Sequence, residues 1–299
     1  MDATRIETGR LYGLKRTLGS ATAYFLLILS IVPILVGYAW LLIATFSYRT
    51  EGLFPIDAQG NIGGWTLRNW SFLGDPQIWR VTLNSLGIAL GMVVGVGFVS
   101  SLAGYGLSRM NFPGRKAFLS LTLLLHAFPS VTLLIAIFFV LKFISKIPGL
   151  GPLFGYNTLG GVALVMVSLE LPLGVWLMKG FFDNISWDVE RAALIDGASR
   201  FRVWWEIILP QIKPGLAALA IFNFLSGWSA FLIPFTFTVG SKVANLPVYL
   251  RQLMSETAPT NWNQIAAVGL FQLIPVLIFF LFTQELLLNI YTGGAKGGV

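Results

Sequence analysis

Two ionisable side chains, Glu170 and His126, lie inside apolar stretches of this chain that are long enough to cross a bilayer. An ionisable group at membrane depth is by default a candidate for a substrate or ion pathway. Glu170 stands two residues before Pro172, so a glutamate that stabilises a helix break is an equally weighted alternative. For His126 a hydrogen bond between helices is the favoured interpretation, because the sequence shows no partners for a proton relay.

Four uncharged polar or amphipathic residues also lie in apolar stretches, namely Asn223, Ser226, Trp228 and Gln272. Taken singly, each is expected to form an interhelical hydrogen bond, usually worth about 0.6 kcal/mol. Together they suit an uncharged, hydroxyl-rich solute, because amides donate and accept hydrogen bonds and an indole stacks on a sugar face. We therefore predict a translocation pathway that includes these four residues and Glu170.

Other chemistry has no motif in this sequence. It lacks the GxxxxGK[ST] pattern that cradles nucleotide phosphates, and it lacks HExxH and GxSxG. It has no cysteine and one histidine, which excludes disulfides, thiolate ligands and a multi-histidine metal site. We expect no catalytic residue, no metal site and no cofactor bound by this chain, so any ATP is hydrolysed by another polypeptide.

The composition places these residues in a membrane protein. Of 299 residues, 56% are hydrophobic and 11% are charged, whereas soluble domains carry about 25% charged residues. Each of six apolar stretches is long enough to span a bilayer. They cover about 20–47, 82–107, 117–141, 157–181, 212–239 and 264–291, and proline is expected to interrupt five of them. The sequence predicts an all-α polytopic protein with a single membrane domain over residues 1–299.

The distribution of basic residues predicts the orientation. With the amino terminus inside, the cytoplasmic segments carry thirteen of the 20 Lys and Arg residues. Both termini are then cytoplasmic, including a Gly-rich tail at 292–299 that is expected to be non-helical. The net charge of +7 is explained by this topology and gives no support for nucleic-acid binding.

The most charged segment, about residues 183–212, lies between the fourth and fifth predicted spans. Ser186 is a suitable N-cap, and Asp188 and Glu190 complement the positive end of the helix dipole. Asp196–Gly197 predicts a break. A second short helix is expected from Ser199 to a stop at Pro210 and Pro214. Its predicted apolar face consists of Phe201, Trp204, Trp205 and Ile208.

From periodicity alone, this segment could equally be an amphipathic connector in the headgroup layer. It resembles, however, the cytoplasmic "EAA" loop of ABC importer permeases, whose pattern is Glu-Ala-Ala, three residues, Gly, nine residues, Ile, one residue and Leu-Pro. Six positions fall in register: Ala192, Ala193, Gly197, Ile207, Leu209 and Pro210. Arg191 occupies the position of the motif glutamate, and Glu190 precedes it. The resemblance implies ATPase coupling through these eight residues and Asp196.

Further segments resemble the carbohydrate-uptake branch of these permeases, of the smaller maltose-permease type. They are WTLRNW, TLNSLGIAL, AGYGLSRMNFPGRK, LPVYLRQL, AAVGLFQLIPVLIFF and GGAKGG, which together extend over residues 65–298. The chain departs from the branch at Trp228–Phe231, which reads WSAF where the branch has Trp-Asn-acid-Phe. The resemblance implies a type I importer permease fold with a cytoplasmic coupling helix in the cytoplasmic (inner) membrane.

The same resemblance implies partners. A second, longer permease, two ATPase subunits that bind ATP and Mg²⁺, and an extracytoplasmic solute-binding protein that delivers sugar would complete the importer. Two other classes stay open from the residues alone. An ion-gradient-driven secondary transporter would keep more embedded acids or histidines and internal repeats. A membrane enzyme would need a nucleophile–base or metal set.

Overall fold

The computed structural model describes the backbone of residues 3–238, 243–254 and 260–294, and the side chains of 22–238, 243–254 and 260–284. Within these residues the chain forms mainly helices. They are α1 Ala3–Thr45, α2 Pro76–Arg109, α3 Arg115–His126, α4 Ser130–Ile144, α5 Gly151–Phe154, α6 Leu159–Asp183, α7 Trp187–Ile195, α8 Arg200–Arg202, α9 Leu209–Gln211, α10 Lys213–Trp228, α11 Leu232–Phe237, α12 Leu246–Gln252 and α13 Trp262–Gly294. A 3₁₀ helix covers Arg68–Gly74 and a π-helix covers Val203–Ile208. Two short strands, β1 Arg49–Glu51 and β2 Phe54–Ile56, complete the elements.

The predicted spans correspond to two kinds of segment. Four helices are long and apolar enough to cross a membrane unaided: α1 from Thr22, α2, α6 and α13 as far as Gln284. The described residues hold up to six spans if each of two bent pairs counts as one. Helices α3 and α4 are bent by 101°, and the segment Arg200–Gln211 is bent by 81° from α10. The third predicted span is therefore broken between α3 and α4. The fifth begins at the bend near Ile212 and is interrupted at residues 229–231 between α10 and α11, whereas the others are continuous helices.

Proline interrupts fewer spans than expected. Pro33, Pro172 and Pro275 lie inside continuous helices. Only Pro129 stands at the break of a span, between α3 and α4, where the residue before a proline disfavours helical torsions. Pro234 lies within α11, and the chain breaks before it at residues 229–231. A proline inside a membrane helix is tolerated because neighbouring helices satisfy the freed backbone groups.

The tail also differs from expectation where it is described. Residues 292–294 continue α13 instead of leaving the helix, because extending a formed helix adds one hydrogen bond per residue. The rest of the tail, residues 295–299, lies outside the described residues.

The chain divides into two compact units. The first combines residues 1–72 with 259–271, so it holds α1, the β-hairpin and the start of α13. Strands β1 and β2 are antiparallel, with Arg49 opposite Ile56. The buried amides of Asn69 and Asn263 donate to the carbonyl of Ala44 at 3.3 and 2.9 Å and to that of Ser47 at 2.8 and 3.1 Å. These bonds satisfy backbone groups left free where α1 ends.

The second unit holds α2 to α12 and α13 from Gln272 onward, with α2, α6 and α10 packed together at its centre. Glycines line these contacts. A Cβ at Gly104 would lie 2.8 Å from Met178 Cβ, and one at Gly227 would lie 2.7 Å from Ala89 Cα. Small residues let membrane helices approach closely, which substitutes for the hydrophobic driving force that lipid removes. The three helices thus form a tightly packed frame.

Candidate coupling surface and membrane cavity

The coupling loop, residues 183–212, begins as the sequence predicts. Ser186 caps α7, and its Oγ accepts a hydrogen bond from the backbone N–H of Asp188 at 3.2 Å. Gly197 ends the helix region with a φ of 87°, a left-handed conformation in which a Cβ is strained. The predicted break at Asp196–Gly197 is therefore confirmed. It turns the chain from α7 into a second helical segment that starts at Arg200.

The second segment does not have the predicted face. Trp204 and Ile208 are buried, with 1% and 0% exposure, whereas Phe201 and Trp205 are 63% and 54% exposed. The reason is the π-helix, which has a wider turn than the α-helix, so that residues three apart no longer share one side while residues four apart still do. Val203, which is not part of the predicted face, is fully buried beside Trp204 and Ile208.

The prolines of this segment also act differently from the prediction. Pro210 lies inside α9, in its first turn, and Pro214 lies in the first turn of α10. Neither residue stops the helix, because a first-turn N–H has no intrahelical partner to lose. The chain bends by 81° near Ile212 and then enters α10 directly. The coupling loop is thereby joined to a membrane helix without a flexible linker.

Glu190 lies inside the chain, although the resemblance assigns it to ATPase coupling. Its side chain is 1% exposed, and its Oε2 lies 2.8 Å from Nε of Arg109 at the end of α2. The hydroxyl of Tyr105 donates to its Oε1 at 2.7 Å. Both carboxylate oxygens therefore contact this chain, and the carboxylate is not presented to a partner in this conformation.

Arg109 is held from several directions. Its Nη2 donates to the carbonyl of Ile185 at 3.0 Å, and its guanidinium carbon lies 4.8 Å from the ring centroid of Trp187. Next to it, Ser108 donates to Asp183, which also pairs with Lys179. The end of α2 is thus fastened to the turn between α6 and α7. Sequence reasoning did not identify Arg109, because its partners lie more than 70 residues away along the chain.

The outward side of α7 is the part of the loop that a partner can reach. Arg191, Ala192, Asp196 and Gly197 are exposed. Ile195 is 84% exposed, a high value for a large apolar side chain. The predicted site residue Ala193 is buried, Ile207 and Leu209 are half-buried, and Pro210 is exposed. Ile195 was not singled out from the sequence. Its position two residues after Ala193 could have indicated it, because residues two apart lie on opposite sides of a helix and Ala193 is buried.

Glu170 and Ser226 line one cavity of about 350 Å³, formed by residues of α3, α4, α6, α10 and α11 together with the breaks beside them. Ser226 Oγ donates to Glu170 Oε1 at 3.3 Å and so connects α10 with α6. His126 lines the same cavity, and its Nδ1 lies 3.2 Å from the carbonyl oxygen of Leu169. The expected interhelical contact of His126 is confirmed. None of the described residues that line this cavity is Lys or Arg.

The other three predicted pathway residues do not line this cavity. Asn223 is buried, and its amide donates to the carbonyl of Leu219 at 2.7 Å within its own helix. The indole of Trp228 is buried and donates to the carbonyl of Gln272 at 3.0 Å, which ties α10 to α13. Trp228 therefore makes the interhelical hydrogen bond that the sequence left open, whereas Asn223 bonds within α10 and Gln272 takes part through its backbone carbonyl.

Comparison with known proteins identifies the family. The model of the binding-protein-dependent transport system inner membrane component matches residues 87–289. The maltodextrin transport system permease protein of Bacillus subtilis is 31% identical over 280 residues, 92% of this chain and 95% of the relative. The diacetylchitobiose uptake system permease protein of Streptomyces coelicolor is 29% identical over 269 residues, 89% of this chain and 85% of the relative.

The fold has a solved counterpart. The crystal structure of a bacterial ABC transporter involved in the import of the acidic polysaccharide alginate contains a chain with a TM-score of 0.74 to this one. The two share 19% identity, and the match covers 90% of this chain and 96% of the other. The likeness supports the type I permease fold that the sequence predicted. With a family model that matches residues 87–289, this chain belongs to the binding-protein-dependent transport system inner membrane components, the non-enzymatic permease subunits of ABC importers.

Proposed function

We propose that this chain forms half of the translocation pathway of an ATP-driven importer of neutral oligosaccharides. The observation that carries this proposal is the exposure of α7 in the coupling loop. Its outward side around Ile195 is exposed, while its inward side is held to this chain by the buried pair of Glu190 and Arg109. Relatives named for maltodextrin, diacetylchitobiose and galactooligosaccharides support a sugar as cargo. The family assignment replaces the ion-gradient alternative, since its members work in binding-protein-dependent systems.

The partners are those that the resemblance to ABC importer permeases implies. Two ATPase subunits would supply hydrolysis with their own ATP and Mg²⁺, in keeping with the absence of a phosphate-binding motif from this chain. A second, longer permease would complete the pathway, and an extracytoplasmic binding protein would deliver the sugar. A related crystal structure is described as a complex with an alginate pentasaccharide-bound periplasmic protein, which supports the last of these. The importer would lie in the cytoplasmic membrane with both termini of this chain inside.

The route from ATPase to cavity runs through α10. A groove on the ATPase would hold α7 by its exposed residues, with Arg191, Ala192, Asp196 and Gly197 among them. Closure of the ATPase dimer would move the loop, and the bend near Ile212 joins the loop to α10. Helix α10 carries Ser226, so its motion would change the contact between Ser226 and Glu170. The cavity between the broken spans would thereby alternate between closed and open.

The lining of the cavity suits a neutral sugar. Glu170 and Ser226 offer hydrogen bonds to hydroxyl groups, and Phe128 and Phe231 offer apolar surface for a sugar face. An acidic sugar would meet the Glu170 carboxylate without a Lys or Arg among the described lining residues. Asn223, Trp228 and Gln272 would act on the pathway only through the packing of α10 against α13.

Single-cysteine cross-linking tests this function cleanly, because the chain has no native cysteine. Ile195→Cys is expected to cross-link to the ATPase subunit in membranes and to react with impermeant thiol reagents from the cytoplasmic side only. Ile62→Cys is the matched control. Ile62 is 74% exposed in the loop between the first two predicted spans, which the predicted orientation places outside, so it is expected to react only from outside. Labelling of position 195 from outside, or no cross-link to any ATPase, contradicts the proposal.

A further inference from the structure

The ion pair between Arg109 and Glu190 is buried more deeply than any other ion pair of the described residues. Each side chain is 1% exposed, whereas the pair of Arg202 and Glu206 in the same loop is 65% and 54% exposed. Removing two charges from water is costly, and apolar residues of similar volume often stabilise a fold as well or better. A buried pair is therefore better explained by the position that it specifies than by the stability that it adds.

The contacts show which elements this pair positions. Tyr105 and Arg109 are four residues apart and so lie on one face of the last turns of α2. They hold the two oxygens of Glu190 separately, by a 2.7 Å hydrogen bond and a 2.8 Å ion pair. One directional hydrogen bond and one buried ion pair on the same carboxylate restrict how far α7 can rotate or slide on α2. Arg109 also reaches the carbonyl of Ile185 and the ring of Trp187, which fixes the start of α7.

Helix α2 is the element best placed to carry a displacement into the membrane. It runs 34 residues and packs against α6 and α10 through close glycine contacts. At Gly104 its backbone lies so near α6 that a Cβ would be 2.8 Å from the backbone nitrogen of Lys179. A push on the end of α2 would therefore move the central frame of the second unit as a body.

We infer that the Arg109–Glu190 pair is the joint through which the coupling loop drives α2. Both are positioning residues. The inference rests on the proposed function, because the pair can transmit a displacement only if an ATPase moves α7. Two routes then leave the coupling loop. One passes along the chain at Ile212 into α10, and the other passes across space through Glu190 and Arg109 into α2. Without the second route the coupling loop would act on α2 only indirectly, through the packing of α2 against α10.

The experiment compares transport with ATP hydrolysis in the complete importer. The permease pair, ATPase and binding protein are reconstituted in proteoliposomes with maltodextrin as the trial sugar, followed by trehalose and diacetylchitobiose. Glu190→Gln keeps the shape of the side chain and its acceptor for Tyr105 but removes the charge. We expect this complex to assemble and hydrolyse ATP, with uptake per ATP reduced about tenfold, as for a lost interaction of about 1.4 kcal/mol.

The matched control is Arg202→Gln. It breaks an ion pair with the same atoms, Nε and Oε2, at the same 2.8 Å, but at an exposed site on one helical segment. Because exposed pairs contribute little, uptake per ATP should stay near that of the unmodified importer. Equal losses in Glu190→Gln and Arg202→Gln would overturn the inference, and so would unchanged uptake per ATP in Glu190→Gln.

A double variant separates a joint from a merely structural pair. Arg109→Met with Glu190→Leu replaces the charges by apolar volume, which is expected to preserve folding even if Glu190→Gln fails to assemble. If the pair positions α7, the double variant assembles and hydrolyses ATP but transports poorly. Full coupling in the double variant overturns the inference. If the unmodified complex shows neither sugar-stimulated hydrolysis nor uptake with any trial sugar, the proposed function itself fails, which is a distinct result.

Discussion

The glycine that ends the region of α7 gives a prediction that can be worked from the geometry. Gly197 has a φ of 87°, and a Cβ built there meets no atom within 4 Å. Gly197→Ala therefore adds no clash inside the chain, and its effect within the chain is backbone strain. A side chain in the left-handed region costs roughly 1–2 kcal/mol.

That strain acts on the conformation of the coupling loop. A cost of 1–2 kcal/mol corresponds to roughly a 5- to 30-fold change in population. We expect Gly197→Ala to weaken the binding of the ATPase subunit by about this factor, because fewer molecules hold the Asp196–Gly197 turn in its native form. Gly197→Asn should bind better than Gly197→Ala, because asparagine tolerates this conformation.

Gly114 provides the matched control. It has the same φ of 87° and the same open space, and it lies in the turn before α3. Gly114→Ala should thus carry the same strain without touching the coupling loop. The assay is titration of ATPase subunit onto permease in nanodiscs, with folded permease quantified in parallel. Equal ATPase affinity for the two alanine variants would refute the reasoning.

Two further predictions concern the membrane helices. Glu170→Ala should lower sugar uptake by about tenfold or more without affecting assembly, because it removes a hydrogen bond to a charged group, worth about 1.5–3 kcal/mol; unchanged uptake would remove Glu170 from the pathway. Gly104→Ala should destabilise the permease by roughly 1–3 kcal/mol, since its Cβ would lie 2.8 Å from that of Met178. Gly106→Ala, with no atom within 4 Å of its Cβ, should instead be neutral or stabilise α2 by up to about 1 kcal/mol in thermal unfolding; equal melting shifts of the two variants would contradict the packing argument.

The sequence alone determined the features that depend on neighbours along the chain. The apolar stretches near α2, α6 and α13 predicted helices at nearly the observed places, because span length and hydropathy are one-dimensional properties. The cap at Ser186 and the break at Gly197 were equally local. The register of the loop motif led to the family that the comparison then identified.

The tertiary structure decided what depends on residues far apart in the chain. Glu190 had the appearance of an exposed first-turn acid, yet Tyr105, 85 residues earlier, and Arg109 enclose its carboxylate. The π-helix Val203–Ile208 put Phe201 and Trp205 on a different side from Trp204 and Ile208. Burial and helix register depend on which surfaces pack together, and that choice is made by long-range contacts that no local pattern contains.

The membrane cavity shows the same division. Local sequence singled out Glu170, Ser226 and His126 as polar residues at membrane depth, but it grouped Ser226 with Asn223 and Trp228, its neighbours on one helix. The fold separates them. Ser226 donates a hydrogen bond to Glu170, 56 positions away in the sequence, while the amide of Asn223 bonds within its own helix and the indole of Trp228 bonds to α13. Residue type determined which groups needed a polar partner. The packing of five helices decided which of them line the same cavity, because hydrogen bonds at membrane depth form only between side chains that the helices bring into reach.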